Sequence, residues 1–239
     1  MAIENNAGKG KKTKISIVIP ALNEEEGIEK TIQAIPKSEL EDMGYDVQIL
    51  VVDNGSTDGT GELARKAGAE VIYEPRRGYG SAYKMGFAHA SGQIIATADA
   101  DLTYPMAEIP NLVRILEDKA VEFITTNRLD HLNGNAMSLR NRLGNALLNL
   151  TVRLLFKINL KDSQSGMWVF KRSILDNLLL RSDGMPFSEE LKLEACYFAR
   201  CRWKELPIQY KTRLGKIKLR VWRDGLGNLF YLIRKRVIR

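Results

Sequence analysis

The chain has 239 residues, 44% of them apolar, and a formal charge of +7, enough to bury a full core as one large domain or two small ones. No run approaches the roughly 18 apolar residues of a membrane span, and no signal-peptide core opens the chain. Cys196 and Cys201 lack the second pair that a zinc site needs, so they are expected to be reduced core thiols in a cytosolic protein.

The charge is uneven. From Arg200 onward there are 13 Lys/Arg against two acids, whereas the rest carries 23 basic and 27 acidic residues. A basic end on a near-neutral body points to an anionic partner such as nucleic acid, a membrane surface or a phosphorylated substrate, set against the plainer reading of a solvated basic face.

Residues 1–13 are polar and rich in Gly, Lys and Asn, the composition of a disordered tail. A strand is predicted over Lys14 to Pro20 and an amphipathic helix from near Asn23 through Glu24 to Ile35. Gln48 to Asp53 reads as a second buried strand, broken by the turn Asn54-Gly55-Ser56. Thr57 or Asp58 caps a helix to Ala67, which Gly68 ends. A short strand, Glu70 to Tyr73, precedes a Gly-rich loop and a helix over Ser81 to Ala90. The apolar run Ile94-Ile95-Ala96-Thr97 is the next strand, followed by a helix from Met106 to Asp118 and a strand from Val121 to Thr126. Apolar strands alternating with helices give a parallel sheet covered on both faces, whose ligands bind beyond the strands' carboxyl ends. Pro20, Asp53, Asp99 and Asp101 all fall there.

The segment Asp99-Ala100-Asp101 places two carboxylates one small residue apart at the end of a buried strand. Side chains alternate along an extended backbone, so both can point the same way. Two hard oxygen ligands, with Ala100 leaving room, suit a divalent cation that itself carries a diphosphate. An Asp pair that caps a turn or the following helix would look the same in isolation.

The order of motifs is more specific. Pro20-Ala21-Leu22-Asn23-Glu24-Glu25, Val51 to Thr60 with Asp53-Asn54-Gly55-Ser56 at its centre, and Asp99-Ala100-Asp101 together resemble the donor half of family-2 inverting glycosyltransferases. Gly78-Tyr79-Gly80-Ser81-Ala82-Tyr83-Lys84-Met85-Gly86 resembles that family's Gly-rich loop and helix. Thr126-Asn127-Arg128, Asp162-Ser163-Gln164-Ser165-Gly166 and Arg213-Leu214-Gly215-Lys216-Ile217-Lys218-Leu219 resemble its dolichyl- or polyprenyl-phosphate hexose synthases, the branch of dolichol-phosphate mannose synthase.

This resemblance implies an α/β glycosyltransferase A fold, a mostly parallel Rossmann-like sheet with helices on both faces, occupying residues 14–225. It implies a GDP- or UDP-linked sugar donor and Mg or Mn. Pro20, Leu22, Glu24 and Asp53 would surround the base and ribose, with Ala100 and Thr103 also on the donor side. Leu22 replaces a frequent aromatic and Thr103 a frequent Gln. Asp99 and Asp101 would hold the metal and the donor's diphosphate, where a cation offsets charge on the leaving group.

On the acceptor side, a sugar hydroxyl would need a general base, for which Asp162, Glu189 or Glu190 are the available carboxylates. A phosphate monoester is already an anionic nucleophile at neutral pH and needs positioning and charge compensation instead. Arg128, Arg142, Arg213 and Lys218 match the family's pattern for that task, Arg142 better than Arg140. Glu190 matches an acidic position without an evident role, and neither His89 nor His131 is assigned one.

Two stretches fit a membrane surface. Leu143, Leu147, Leu150, Leu154 and Leu155 form a stripe within Leu139 to Phe156, beside Arg140, Arg142 and Arg153. Leu226, Leu229, Phe230, Ile233 and Val237 follow helical spacing in the segment 226–239, beside Arg234, Lys235, Arg236 and Arg239. Core packing is the competing expectation for half of the first stretch. The expected activity is transfer of a hexose to a dolichyl or polyprenyl phosphate, by an enzyme peripherally associated with the cytoplasmic face of a membrane and feeding glycan assembly such as protein glycosylation. A soluble phosphate or hydroxyl acceptor is the alternative within the family. A non-catalytic nucleotide-sugar- or nucleic-acid-binding protein is the alternative outside it, although the basic end has few stacking aromatics beyond Trp203, Tyr210 and Trp222. No Gly-x-Gly-x-x-Gly follows the first strand, which argues against a dinucleotide site.

Overall fold

The computed structural model describes residues 12–118, 120–131, 137–215 and 221–238. Most of the expected tail and the candidate Lys218 lie outside them.

Seven strands form one sheet: β1 (Thr13–Ala21), β2 (Tyr45–Asp53), β3 (Glu70–Tyr73), β4 (Ile94–Thr97), β5 (Phe123–Asn127), β6 (Trp168–Lys171) and β7 (Trp203–Pro207). Their order is β3-β2-β1-β4-β6-β5-β7, and only β6 runs antiparallel to its neighbours. The helices are α1 (Ile28–Gln33), α2 (Lys37–Asp42), α3 (Thr60–Lys66), α4 (Tyr79–His89), α5 (Ile109–Asp118), α6 (Leu139–Phe156), α7 (Phe187–Leu193) and α8 (Val221–Val237).

Strand periodicity assigns the two faces. Ile15, Ile17 and Ile19 of β1 join a core that also holds Ile28, Ile32 and Leu40 from α1 and α2 and Leu112 and Leu116 from α5. Val18 points the other way, into a core shared with Tyr83 and Phe87 of α4 and Phe187 and Leu191 of α7. Aromatic rings dominate this second layer. Tyr83 stacks on Phe187 with centroids 5.7 Å apart, and Trp168 lies 5.0 Å from Tyr83. Each such burial stabilises the fold by about 2–3 kcal/mol. Gly86 lets α4 lie flat on the sheet, since a Cβ there would sit 2.4 Å from Val18 Cγ1.

A third core joins α6 to α8: Leu148, Val152 and Phe156 pack with Leu193 and Leu232. Helix α8 starts at Val221, ahead of the segment expected from 226. Its inward face is polar as well as apolar. Lys235 is buried between Glu190 and Glu194, at 3.4 and 2.7 Å, and Asn228 donates to Gln164 at 2.9 Å.

One local expectation is corrected. The first helix begins at Ile28 rather than near Asn23, because residues 23–25 are held as a loop by the 56–60 turn. Asn23 adopts φ 51° and its N–H donates to Ser56 Oγ, while the Glu24 N–H donates to Thr60 Oγ1. The sheet is mostly parallel, as the resemblance implies, with β6 as its one antiparallel member.

The register brings the functional ends together. Ala21 pairs with Asp53, Val18 with Thr97, and Asn127 with Pro207. The residues after β1, β2, β4, β5 and β7, and the loop entering β6, therefore share one edge of the sheet.

Candidate active site

Beyond β4 the chain turns sharply at Leu102, φ 63°, which folds Asp101 back on its own backbone. Asp101 Oδ1 accepts the Thr103 N–H at 3.0 Å and the Thr103 hydroxyl at 2.6 Å. Its Oδ2 faces Arg213 Nη1 at 3.0 Å. Thr103, expected on the donor side, thus fixes Asp101's carboxylate. Asp99 Oδ1 accepts from the Tyr79 hydroxyl at 3.2 Å. Gly166 makes that contact possible, because a Cβ there would lie 2.3 Å from the Tyr79 oxygen.

Burial, then the like charge of Asp101, pushes the Asp99 carboxyl up to about 7, with Arg213 and Arg128 offsetting part of the rise. Two carboxylates one residue apart at the mouth of the clefts, Asp101 buried and Asp99 half-buried, are a chemically sound cation site. Among the described residues no third His, Cys, Asp or Glu joins the pair. The donor set therefore fits Mg or Mn, with diphosphate and water oxygens supplying the remaining ligands.

Two adjoining clefts meet at this point. Pro20, Leu22, Glu24, Ala100, Asn54 and Gly78 line the first. Its walls are sewn together by side chains: Asn54 donates to Glu74 O and Arg76 O, and its Oδ1 accepts the Gly78 N–H at 2.7 Å. Asp53 does not line this cleft. Its Oδ1 accepts the Ser56 N–H at 2.9 Å, and its other oxygen packs where a Cβ on Gly61 would stand, 2.8 Å away.

The second cleft is lined by Arg128, Tyr104, Tyr210, Gln164 and Asn145, among others, and shares Asp99, Asp101 and Arg213 with the first. Arg128 is buried and held in a two-pronged pair. Its Nε and Nη2 donate to Asp162 at 2.7 and 2.9 Å, and its own N–H donates to Asp162 Oδ2 at 3.0 Å. The guanidinium lies 5.3 Å from the Tyr210 ring centroid. Burial alone would raise Asp162, but the Arg128 charge and its hydrogen bonds hold the carboxyl down, at about 2. Arg213 forms ion pairs with both Glu24 and Asp101, so it ties β1's loop to the carboxylate pair.

The expected acceptor set is thus brought together only in part. Arg128 and Arg213 line the cleft, Arg142 is exposed on α6 away from it, and Asn141, Gly144 and Asn145 are what α6 presents instead. Glu190 acquires a role: its carboxylate accepts the N–H groups of Arg181 and Ser182 and pairs with Lys235, clamping a loop and α8 to α7. Asp224 was not singled out by sequence reasoning, yet it lines both clefts. The available signal was its rarity, since it and Glu205 are the only acids in the basic end.

The family profile "Glycosyl transferase family 2" matches residues 16–179. Low-salt glycan biosynthesis hexosyltransferase Agl6 of Haloferax volcanii is 35% identical over 221 residues, 92% of this chain and 53% of that protein. The undecaprenyl-phosphate 4-deoxy-4-formamido-L-arabinose transferase of Salmonella newport is 31% identical over 228 residues, 91% of this chain and 65% of its own. The chain thus spans about half of the first relative and about two thirds of the second. Glucosyl-3-phosphoglycerate synthase from Mycobacterium tuberculosis, solved with Mn2+, UDP and phosphoglyceric acid, superposes with a TM-score of 0.73 at 24% identity, over 94% of this chain and 78% of that one. That likeness is one of fold. The chain belongs to glycosyl transferase family 2, and its architecture is the glycosyltransferase A type.

Proposed function

We propose that the protein transfers a hexose from a nucleoside-diphosphate sugar to a polyprenyl or dolichyl phosphate at a membrane surface, with inversion at the anomeric carbon. One observation carries the lipid acceptor. The helices that flank the acceptor cleft, α6 and α8, leave their outward faces apolar and bare: Leu143, Leu147 and Leu154 are 65, 54 and 69% exposed, and Leu226, Phe230 and Ile233 are 63, 68 and 51% exposed. Among the described residues no helix is long and apolar enough to cross a membrane, so contact along these faces would be lateral.

In this reading the first cleft takes the nucleotide and the second the acceptor phosphate. Asp99 and Asp101 would hold Mg or Mn, which when bound offsets negative charge on the departing diphosphate. Arg213, and the part of Arg128 not engaged by Asp162, compensate and orient the acceptor phosphate. One phosphate oxygen forms the new bond to C1 as the bond from C1 to the donor's diphosphate oxygen breaks, the electron pair leaving with the nucleoside diphosphate. No proton need be removed. That agrees with the state of the three carboxylates once weighed as bases: Asp162 is saturated by Arg128, Glu190 by Lys235 and two N–H groups, and Glu189 is fully buried against Gln164. The named activities of the Haloferax and Salmonella relatives, a hexosyltransferase and an undecaprenyl-phosphate transferase, support the same class. The dolichyl-phosphate mannose specificity belongs to this proposal too, as one of the donor–lipid pairs to be tried.

The test is incubation with Mg or Mn, UDP- and GDP-hexoses and a short-chain polyprenyl phosphate, followed by mass spectrometry of the lipid fraction. A product heavier by one hexosyl group is expected. Transfer to phosphoglycerate or to a hydroxyl acceptor, with the lipid phosphate untouched, would overturn the reading.

A further inference from the structure

We propose that the hydroxyl of Tyr104 donates a hydrogen bond to the acceptor phosphate, alongside Arg213 and Arg128; the inference rests on the function proposed above. Three phenols gather around Gly166, in the loop that enters β6. A Cβ on Gly166 would lie 2.3 Å from the Tyr79 oxygen and 3.5 Å from both Asp99 Oδ1 and the Tyr104 oxygen. Two of the three phenols spend their protons inside the protein. Tyr79 donates to Asp99 Oδ1 at 3.2 Å, and Tyr83 donates to Gly166 O at 3.4 Å. Tyr104 does the opposite: its oxygen accepts the Gly166 N–H at 2.6 Å. The direction of that bond is fixed, because an amide N–H can only donate. Among the described residues the Tyr104 hydroxyl makes no other hydrogen bond, so its own proton remains to be given.

Its position says where. Tyr104 lines the second cleft together with Asp99, Arg128, Tyr210 and Arg213. Its ring meets that of Tyr210 edge-on, with centroids 5.4 Å apart, and the Arg128 guanidinium lies 5.3 Å from the Tyr210 centroid. The phenol thus shares a wall with the cation that the proposed function gives to the acceptor phosphate. An ionised phosphate monoester offers acceptor oxygens and calls for donors. Arg128 cannot answer that call alone, since its Nε and Nη2 go to Asp162. The hydroxyl is also held in place for the task. Thr97 Oγ1 donates to Gly166 O at 2.9 Å, so the peptide that grips Tyr104 is itself fixed from its other side. Burial holds the phenol well above its ordinary range, so at neutral pH it is an uncharged donor that adds no repulsion toward an anion. Ring packing against Tyr210 is the plainer role, and it does not require the oxygen.

Tyr104→Phe keeps the ring and deletes the hydroxyl. With Mn present, calorimetry measures UDP and GDP binding, and steady-state assays on a short-chain polyprenyl phosphate give KM and kcat. The nucleotide should bind within twofold of wild type, and kcat should fall less than threefold. The acceptor KM should rise about tenfold or more, as expected for a lost hydrogen bond to a charged group. 4-Aminophenylalanine at position 104 supplies N–H donors but a poor acceptor for the Gly166 N–H, and should bring KM back to within threefold of wild type. A purely structural oxygen predicts the reverse, with this variant as impaired as Tyr104→Phe, and that result would overturn the proposal. So would an unchanged acceptor KM in Tyr104→Phe, or a loss confined to kcat or to nucleotide binding, which would place the hydroxyl on the donor's diphosphate. If Tyr104→Phe does not fold, O-methyltyrosine at position 104 takes its place, since its ether oxygen still accepts the Gly166 N–H but has no proton to give. The same rise in acceptor KM is then expected, and an unchanged KM again overturns the proposal. Failure of the parent reading looks different: the wild-type chain would then transfer no hexose to the polyprenyl phosphate, and this inference would fall with it.

Discussion

Replacing Asp162 by Asn tests whether the buried pair with Arg128 organises the acceptor side. The carboxylate accepts from Arg128 Nε, Nη2 and N–H and from the Gln164 N–H, with all four bonds between 2.7 and 3.1 Å. Asn keeps one acceptor oxygen but turns an NH2 toward the guanidinium, leaving a buried cation without its counter-charge. Removing one partner of such a pair costs about 3–5 kcal/mol. Part of that loss has a pH signature. The Asp162 carboxyl drops from an ordinary 3.8 to about 2 in the fold, which corresponds to about 2 kcal/mol. Because its folded value is depressed, that stability is fully present above pH 4 and disappears as pH falls through 2. Guanidinium unfolding at pH 7 should therefore place Asp162→Asn at least about 3 kcal/mol below wild type. The gap should narrow steadily between pH 4 and pH 2. A gap under about 1 kcal/mol at pH 7, no more than an ordinary neutral hydrogen bond, would refute the argument. So would a gap that ignores pH. Since Arg128 loses its alignment, the KM for the phosphate acceptor should also rise while donor binding holds.

Asp101→Asn should reduce turnover by at least a hundredfold with the melting transition little changed, and EDTA should reproduce the loss reversibly on the wild-type chain; full activity after exhaustive chelation would exclude the cation. Arg213→Ala removes charge-assisted bonds worth about 1.5–3 kcal/mol each, so the acceptor KM should rise tenfold or more and exceed any change in nucleotide affinity. The reverse order would show that the two clefts have been assigned the wrong way round. Leu143→Ser combined with Phe230→Ser should cut co-sedimentation with anionic vesicles while leaving transfer to a short, water-soluble acceptor unchanged; equal sedimentation would move the membrane contact elsewhere.

The parts of this fold that could be read from the chain are those governed by local pattern. The continuous apolar runs of β1, β2 and β4 announce strands buried on both faces, and the carboxylates that follow β4 fall at the strand end where parallel sheets bind ligands. Gly68, at φ 89°, ends α3 as its position predicts. What escaped is non-local. Nothing in Trp168–Lys171 says that it enters antiparallel between β4 and β5, because strand direction depends on where the preceding helices deliver the chain. The start of α1 was misplaced because Asn23 and Glu24 take their partners from the turn after β2, more than 30 residues away. Arg128 and Arg142 both match the family's pattern for a phosphate-binding cation, yet Asp162 fixes one in the cleft while helical phase turns the other outward.

The basic end shows how far a charge count can mislead about energetics. Arg234, Lys235 and Arg236 follow one another, and each cation near an anionic bilayer contributes about 1 kcal/mol. Lys235, however, is withdrawn from that surface and neutralised by Glu190 and Glu194. Arg236 spends its Nε on Leu155 O, joining α8 to the end of α6. The cations of this helix thus divide between holding it to the protein and facing outward, while its exposed Leu226, Phe230, Ile233 and Val237 have no such second duty. Under the proposed function, these exposed side chains and the exposed leucines of α6 would supply surface affinity beside the net charge, and burial of apolar area is insensitive to the ionic screening that weakens charge contacts. The same helix carries Asp224 and Asn228, which line the second cleft, so under the proposed function one segment would serve both the lipid surface and the acceptor site. A phosphate acceptor carried on a lipid would reach that site from the bare side of α6 and α8 without leaving the membrane plane.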